Sequence, residues 1–161
     1  MKELVAMIDT TVKSVRKISS ELRPSMLDDL GLPAALEWQG QEFEKRSGIK
    51  MNMALGATDL KLPANIAITL FRIFQESCTN VARHAEASEV SVTLRTADKK
   101  LELQISDNGR GFIVKSIENK KTLGILGMRE RMTIINGEYN IESSPGKGTK
   151  VRVSVPLNRI E

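Results

Sequence analysis

Apolar or small residues recur at Leu4, Ile8, Thr11, Val15, Ile18 and Leu22, in alternating steps of four and three. That is a heptad seam, with Ile8, Val15 and Leu22 at one core position and Leu4, Thr11 and Ile18 at the other. So narrow a stripe predicts a helix over residues 1–23 that pairs with other helices. The alternative is an ordinary amphipathic helix lying on its own domain. Pro24 ends the segment, because it pushes Arg23 away from helical geometry. Pro24, Gly31 and Pro33 break the stretch Leu22–Pro33 into turns, with residues 24–32 as a junction. Pro33 can open a second helix, since its missing N–H has no partner in a first turn anyway. This helix carries Ala34, Leu36, Trp38 and Phe43 and is capped by Gly48. Ile49 to Leu55 alternates with period two and predicts a half-buried strand. Pro63 opens a further helix that runs to about residue 85.

Glu89–Thr96 and Lys100–Ser106 read as a strand pair about the polar turn Ala97-Asp98-Lys99. Residues 107–122 read as a loop bearing glycines and lysines. A helix over 123–136 follows, stopped by Asn136-Gly137. Glu138–Ser143 and Thr149–Leu157 read as strands around Ser144-Pro145-Gly146-Lys147-Gly148. Strands joined by tight turns are antiparallel, which excludes a doubly wound parallel fold. The expectation is an α+β domain over residues 33–161: a two-layer sandwich whose mixed, mainly antiparallel sheet carries helices on one face.

Composition narrows the chemistry. One cysteine, Cys78, and one histidine, His84, exclude an internal disulfide and a cysteine- or histidine-cluster metal site. The net charge of +4 is mild and its basic residues are scattered, unlike the basic stripe with interleaved aromatics of a nucleic-acid binder. Lys115, Lys120 and Lys121 are the basic residues best suited to attract a polyanion. No window approaches the ~18 apolar residues of a membrane span, and the N-terminus lacks a signal-peptide core. A cytoplasmic module without membrane contact is expected, with an anchor elsewhere in a longer parent left open.

Four stretches carry candidate chemistry. In the helix Phe71–Ala85, 100° per residue puts Glu76, Asn80, Arg83 and His84 on one face and Phe71, Phe74, Cys78 and Val81 on the other. A carboxylate there can abstract a proton or hold a water. An Asn oxygen suits Mg²⁺ beside phosphate oxygens, and Arg83 and His84 can donate to phosphate. The same row also fits a plain solvated helix face. Asp107-Asn108-Gly109-Arg110-Gly111-Phe112 follows an apolar strand. It offers a carboxylate for an exocyclic amine, with glycines that let backbone approach a ligand; it also fits a simple strand-exit turn. Leu123-Gly124-Ile125-Leu126-Gly127-Met128-Arg129-Glu130-Arg131 places two glycines at a helix entrance, where free N–H groups favour phosphate. The stretch before it could be a lid or a plain connection. Gly146-Lys147-Gly148-Thr149 closes a hairpin and offers Thr149 as a polar contact to a base.

In this order and spacing the four stretches resemble the boxes of the GHKL ATPase superfamily, shared by histidine kinases, type II topoisomerases, mismatch-repair ATPases and a heat-shock chaperone. The similarity covers residues 63–157. Glu76…Asn80…His84-Ala85 resembles its N box, and Asp107-x-Gly109-x-Gly111 its first glycine box. Leu22-Arg23-Pro24…Leu27-Asp28-Asp29-Leu30-Gly31-Leu32…Ala35-Leu36, together with Gly127-Met128-Arg129-Glu130-Arg131, extends the resemblance to the nitrate-sensor-like subfamily of sensor histidine kinases, and so to nearly the whole chain.

That resemblance implies the Bergerat ATP-binding fold, with ATP and Mg²⁺ as cofactors. Glu76, Asn80 and His84 would be catalytic, with Asn80 and Glu76 on the metal. Arg83, His84, Asp107, Gly109, Gly111, Phe112, Lys120, Lys121, Gly124, Ile125, Leu126, Gly127, Met128 and Thr149 would join Asn80 in holding the nucleotide. It further implies a homodimer, to whose four-helix bundle residues 1–23 give the second helix, and a response regulator as partner. In such kinases the phosphoacceptor histidine lies on an upstream helix; this chain is expected to lack it, since its only histidine sits in the N box. Thr122 departs from the family by standing where many relatives have the first glycine of the lid. A serine kinase of the anti-sigma type and a non-catalytic ATP-binding interaction module are the alternatives. The Leu-Arg-Pro…Leu-Asp-Asp-Leu-Gly-Leu junction argues against the first, and Glu76 with Asn80 against the second.

Overall fold

The computed structural model describes residues 25–56, 60–118 and 123–159. The helix expected over residues 1–23 lies outside them, as do Lys120, Lys121 and Thr122. The described chain opens with helices α1 (Ser25–Asp29) and α2 (Gly31–Ser47). The segment expected to be only turns thus contains a helical turn, and Gly31, at φ +81°, makes the corner between the two helices. Pro33 sits inside the first turn of α2, where no N–H partner is required. Gly48 ends α2 at φ 72° and donates its N–H to the Glu44 carbonyl. Leu27, Leu32, Ala35, Leu36 and Phe43 are buried in the common core, so the expected junction packs with the domain.

Strand β1 (Lys50–Leu55) and helix α3 (Ala64–Asn80) follow. The chain then continues through a five-residue π turn, Val81–Ala85. Strands β2 (Glu89–Ala97) and β3 (Lys100–Asp107) form the expected hairpin. Asp98 and Lys99 both take positive φ, as a two-residue turn that follows the twist of its strands requires. Within the stretch read as a loop lies a short helix, α4 (Val114–Glu118). Helix α5 (Leu123–Ile134) and the hairpin of β4 (Glu138–Ser143) and β5 (Thr149–Pro156) complete the domain.

The strands order as β1-β2-β3-β5-β4. β1 runs parallel to β2, and the other three pairings are antiparallel. The parallel pair encloses α3, the connection a parallel register demands. Val90, Val92 and Leu94 on β2, Leu101, Leu103 and Ile105 on β3, and Val151, Val153 and Val155 on β5 turn to one side and are buried. Against them lie Phe71, Ile73, Phe74 and Cys78 of α3 and Met128 and Met132 of α5. The sheet therefore has one helix-covered face, the two-layer architecture expected from the pattern. The two edge strands, β1 and β4, have no fully buried residue. No helix of the described residues is long and apolar enough to cross a membrane.

Candidate functional site

Beyond the apolar floor the sheet and α3 diverge, leaving a cavity of about 750 Å³. Glu76 and Asn80 enter it from one edge of α3, four residues apart and hence on one face. A π turn closes i→i+5 rings, so it advances each residue by less than the 100° of an α-helix. Through that wider turn Arg83 and His84 still reach the cavity wall. Among the described residues no hydrogen-bond or ion-pair partner engages the side chains of Glu76, Asn80, Arg83 or His84. Their polar atoms are free for a ligand. No group of three or more His, Cys, Asp or Glu side chains among the described residues could hold a metal alone.

Asp107 ends β3 and lines the same cavity. Its Oδ1 accepts the Gly109 N–H at 2.8 Å, the turn geometry favoured by Asp followed by Gly. Burial pushes its carboxyl above the ordinary 3.8, against the backbone N–H groups of Gly109 and Thr149, which pull it down. Asn108 points away from the cavity. Its Oδ1 accepts the Ser88 and Glu89 N–H groups at 3.0 and 3.1 Å, which anchors the loop to the start of β2.

Three further hydrogen bonds fix this loop. Arg110 N–H donates to the Ala85 carbonyl at 2.7 Å, and Gly109 lies so close to Ala85 that a Cβ there would collide with its carbonyl. The Arg110 carbonyl accepts Gly146 N–H at 2.6 Å from the β4–β5 turn. Ser143 accepts the Phe112 N–H at 2.9 Å and donates to the Gly148 carbonyl at 2.8 Å. Its hydroxyl also lies 3.1 Å from Thr149 Oγ1. Gly111 and Gly148 take positive φ in the same crowded region. The π turn, the loop after β3 and the last hairpin are thereby tied into one wall.

On the far side the first turn of α5 meets α3. Gly124 has its Cα over the Glu76 carboxylate, and any Cβ would strike Oε1. Met128 is buried beside Ser77, whose hydroxyl points to its sulfur at 3.8 Å.

Of the residues expected to bind or react, Glu76, Asn80, Arg83, His84, Asp107, Gly111, Phe112, Gly124, Ile125, Met128 and Thr149 line this one cavity. Gly109, Leu126 and Gly127 do not. Gly109 is directed at Ala85, Gly127 at the Arg131 guanidinium, and Leu126 is 39% exposed. Ser77, Arg110 and the apolar floor of Val81, Ile105, Ile141 and Val151 line it unannounced. The floor residues obey the same alternation as the core, and only their position at the open end of the layers distinguishes them. Arg110, which stands between Gly109 and Gly111 of the glycine box, could have been found from that place.

Comparison with known proteins agrees with this geometry. Residues 65–159 match the family described as histidine kinase-, DNA gyrase B-, and HSP90-like ATPase. The chain is 33% identical over 162 aligned positions to the signal transduction histidine-protein kinase/phosphatase DegS of Brevibacillus brevis. That alignment takes in 100% of this chain and 42% of the relative, so the chain spans about two fifths of the length of the curated protein it matches. The histidine kinase domain of the Erythrobacter litoralis EL346 blue-light activated kinase superposes with a TM-score of 0.71 at 23% identity, covering 84% of this chain and 70% of that one. The Acinetobacter baumannii histidine kinase AdeS superposes at 0.65 and 13% identity, covering 98% and 83%. With the family match spanning most of the described domain and the motif residues gathered in one cavity, the chain belongs to the histidine kinase-, DNA gyrase B- and HSP90-like ATPases.

Proposed function

We propose that this module binds Mg²⁺-ATP in the cavity and donates the γ-phosphoryl group to a histidine on a dimerisation helix, from which it passes to an aspartate of a response regulator. The observation that carries the reading is the convergence of Glu76, Asn80, Asp107 and Gly124 on one cavity of about 750 Å³, large enough for a nucleotide. His84, the only histidine of the chain, lines that cavity, and the acceptor would be a histidine of another segment. The motif around Leu22-Arg23-Pro24 supports the nitrate-sensor-like subfamily, and the heptad seam over residues 1–23 supports a homodimer. A cytoplasmic site of action suits the partner and the cofactor.

Asp107, half-buried, would accept the exocyclic amine of adenine, between walls formed by Ile105, Ile141, Val151 and Met128. Thr149 stands beside it as a second polar contact. Arg83 and His84 would donate to phosphate oxygens at the rim, helped by the N–H groups of the first turn of α5 around Gly124 and Ile125. Lys120 and Lys121, in the stretch before α5, would add positive charge. Asn80 and Glu76 fit Mg²⁺: they offer hard oxygens without other partners, and the absence of a closed cluster among the described residues matches an ion that shares its shell with phosphates and water. When bound, Mg²⁺ would neutralise charge on the phosphate oxygens. Glu76 would take up or orient the proton of the attacking imidazole. Phosphoryl transfer asks mostly for positioning and charge stabilisation, which this sparse set supplies.

The test supplies a parent protein's dimerisation helix in trans with Mg²⁺-ATP. Acid-labile, base-stable label on histidine is expected, whereas acid-stable label would reveal a serine kinase. No label on a helix shown to associate would count against phosphoryl transfer.

A further inference from the structure

Ser77 is the one polar residue of the cavity that belongs to the buried core, at 5% exposure. It lies on α3 next to Glu76, on the side turned toward the apolar floor. Its hydroxyl donates only to the Met128 sulfur, at 3.8 Å. A thioether is a weak acceptor, and a buried hydroxyl so weakly matched retains most of its desolvation cost. An alanine would fill the place without that cost. The walls around it (Val81, Ile105, Ile141, Val151, Met128) are apolar and offer no better partner. They are also the walls that would enclose a flat base.

We propose that Ser77 is a further specificity-determining residue of the cavity, whose hydroxyl leaves the Met128 sulfur to donate to a ring nitrogen of the bound purine. This rests on the nucleotide reading above and deepens it. Asp107 would recognise the base by accepting from its exocyclic amine. Ser77 would recognise it from the helix side by donating to a ring acceptor. Together they supply both hydrogen-bonding polarities in an otherwise apolar slot, an arrangement that discriminates strongly because any mismatch leaves a buried polar group unpaired. The phosphate-side groups Arg83, His84 and Asn80 would be untouched by the exchange of partners.

The experiment is calorimetric titration of a non-hydrolysable ATP analogue with Mg²⁺ into wild type and Ser77→Ala, repeated with analogues carrying a 1-deaza, 3-deaza or 7-deaza adenine. Thermal unfolding of both proteins checks the fold. Ser77→Ala is expected to weaken the parent analogue by about two- to tenfold, the worth of one net hydrogen bond. One of the three deaza analogues should bind wild type more weakly by a similar factor and be indifferent to the substitution. Equal binding of the parent analogue to both proteins would overturn the proposal. So would a loss that persists undiminished across all three deaza analogues, since Ser77 would then act through packing. No binding to folded wild type would instead overturn the nucleotide reading itself.

Discussion

Asp107 is a single residue whose burial carries a cost in stability. Its carboxyl is raised above 3.8 chiefly by burial. A carboxyl raised in the folded state binds more protons there than in the unfolded chain, so stability falls as pH rises from near 3.8 through the folded value. Asp107→Asn removes this charge penalty. The variant should be more stable than wild type at neutral pH, and the gap should close toward about pH 4 in denaturant titrations. It should nonetheless fail to bind adenine nucleotides. Oδ1 is occupied by the Gly109 N–H, so an amide must turn its NH₂ toward one donor or the other. Two glycines make a matching contrast. Gly109→Ala drives a Cβ into the Ala85 carbonyl, a backbone atom that cannot yield. A cost of about 1–3 kcal/mol is expected from such overpacking, read as a lowered unfolding midpoint. Gly124→Ala meets the Glu76 carboxylate instead, which can swing away. It should leave the midpoint nearly unchanged but displace Glu76. If Glu76 is the base, phosphoryl transfer in the reconstituted system should then fall by about 10²–10⁴.

Among the elements, the last hairpin and the loop after β3 share one hydroxyl. Ser143 receives the Phe112 N–H and gives its proton to the Gly148 carbonyl. Ser143→Ala strands both groups, at a cost of about 1–3 kcal/mol if water cannot replace them. The loss should appear in the denaturant midpoint, with a weaker grip on nucleotide because Gly111 and Thr149 share that wall. Nothing in the sequence marked this serine, the last residue of β4, as different from its neighbour Ser144, since serine is ordinary beside a turn. Asn108 was likewise legible only as turn chemistry, although it anchors the loop to β2 through two backbone N–H groups. By contrast, Glu76 and Asn80 were legible because α-helical spacing fixes their common face. The π turn beyond them was not: its residues Val81–Ala85 have ordinary helical composition, and the tie of its Ala85 carbonyl to the Arg110 N–H joins residues far apart in the chain. The short helices α1 and α4 escaped notice for a related reason, being too brief to show a period.

At the scale of the whole molecule, alternation along β2, β3 and β5 announced a sheet with one covered face, and the tight turns announced its antiparallel hairpins. The parallel seat of β1 beside β2 was not announced, because β1 hides neither face fully and parallel pairing leaves no local turn signal. What emerges is one core shared by α1, α2, α3, α5 and the sheet, with the cavity at its open end. Cys78 sits in that core, and burial raises its thiol to about 12. It should be inert to alkylation in the native state, since the thiolate is the nucleophile, and should react only when the core opens. Its labelling rate then measures the population of the opened molecule, which a domain of ordinary stability keeps very small. A ligand that binds only the folded state lowers that population further. With Mg²⁺ and a non-hydrolysable ATP analogue at about a hundred times its Kd, labelling of Cys78 should slow about a hundredfold. Asp107→Asn should abolish the slowing while leaving the ligand-free thiol protected at least as well as in wild type. If Cys78 instead labels at the same rate with and without bound nucleotide, α3 opens on its own while the cavity stays formed. That outcome would break the link between core and site, because Cys78 lies between Ser77 and the Asn80 face of the same helix.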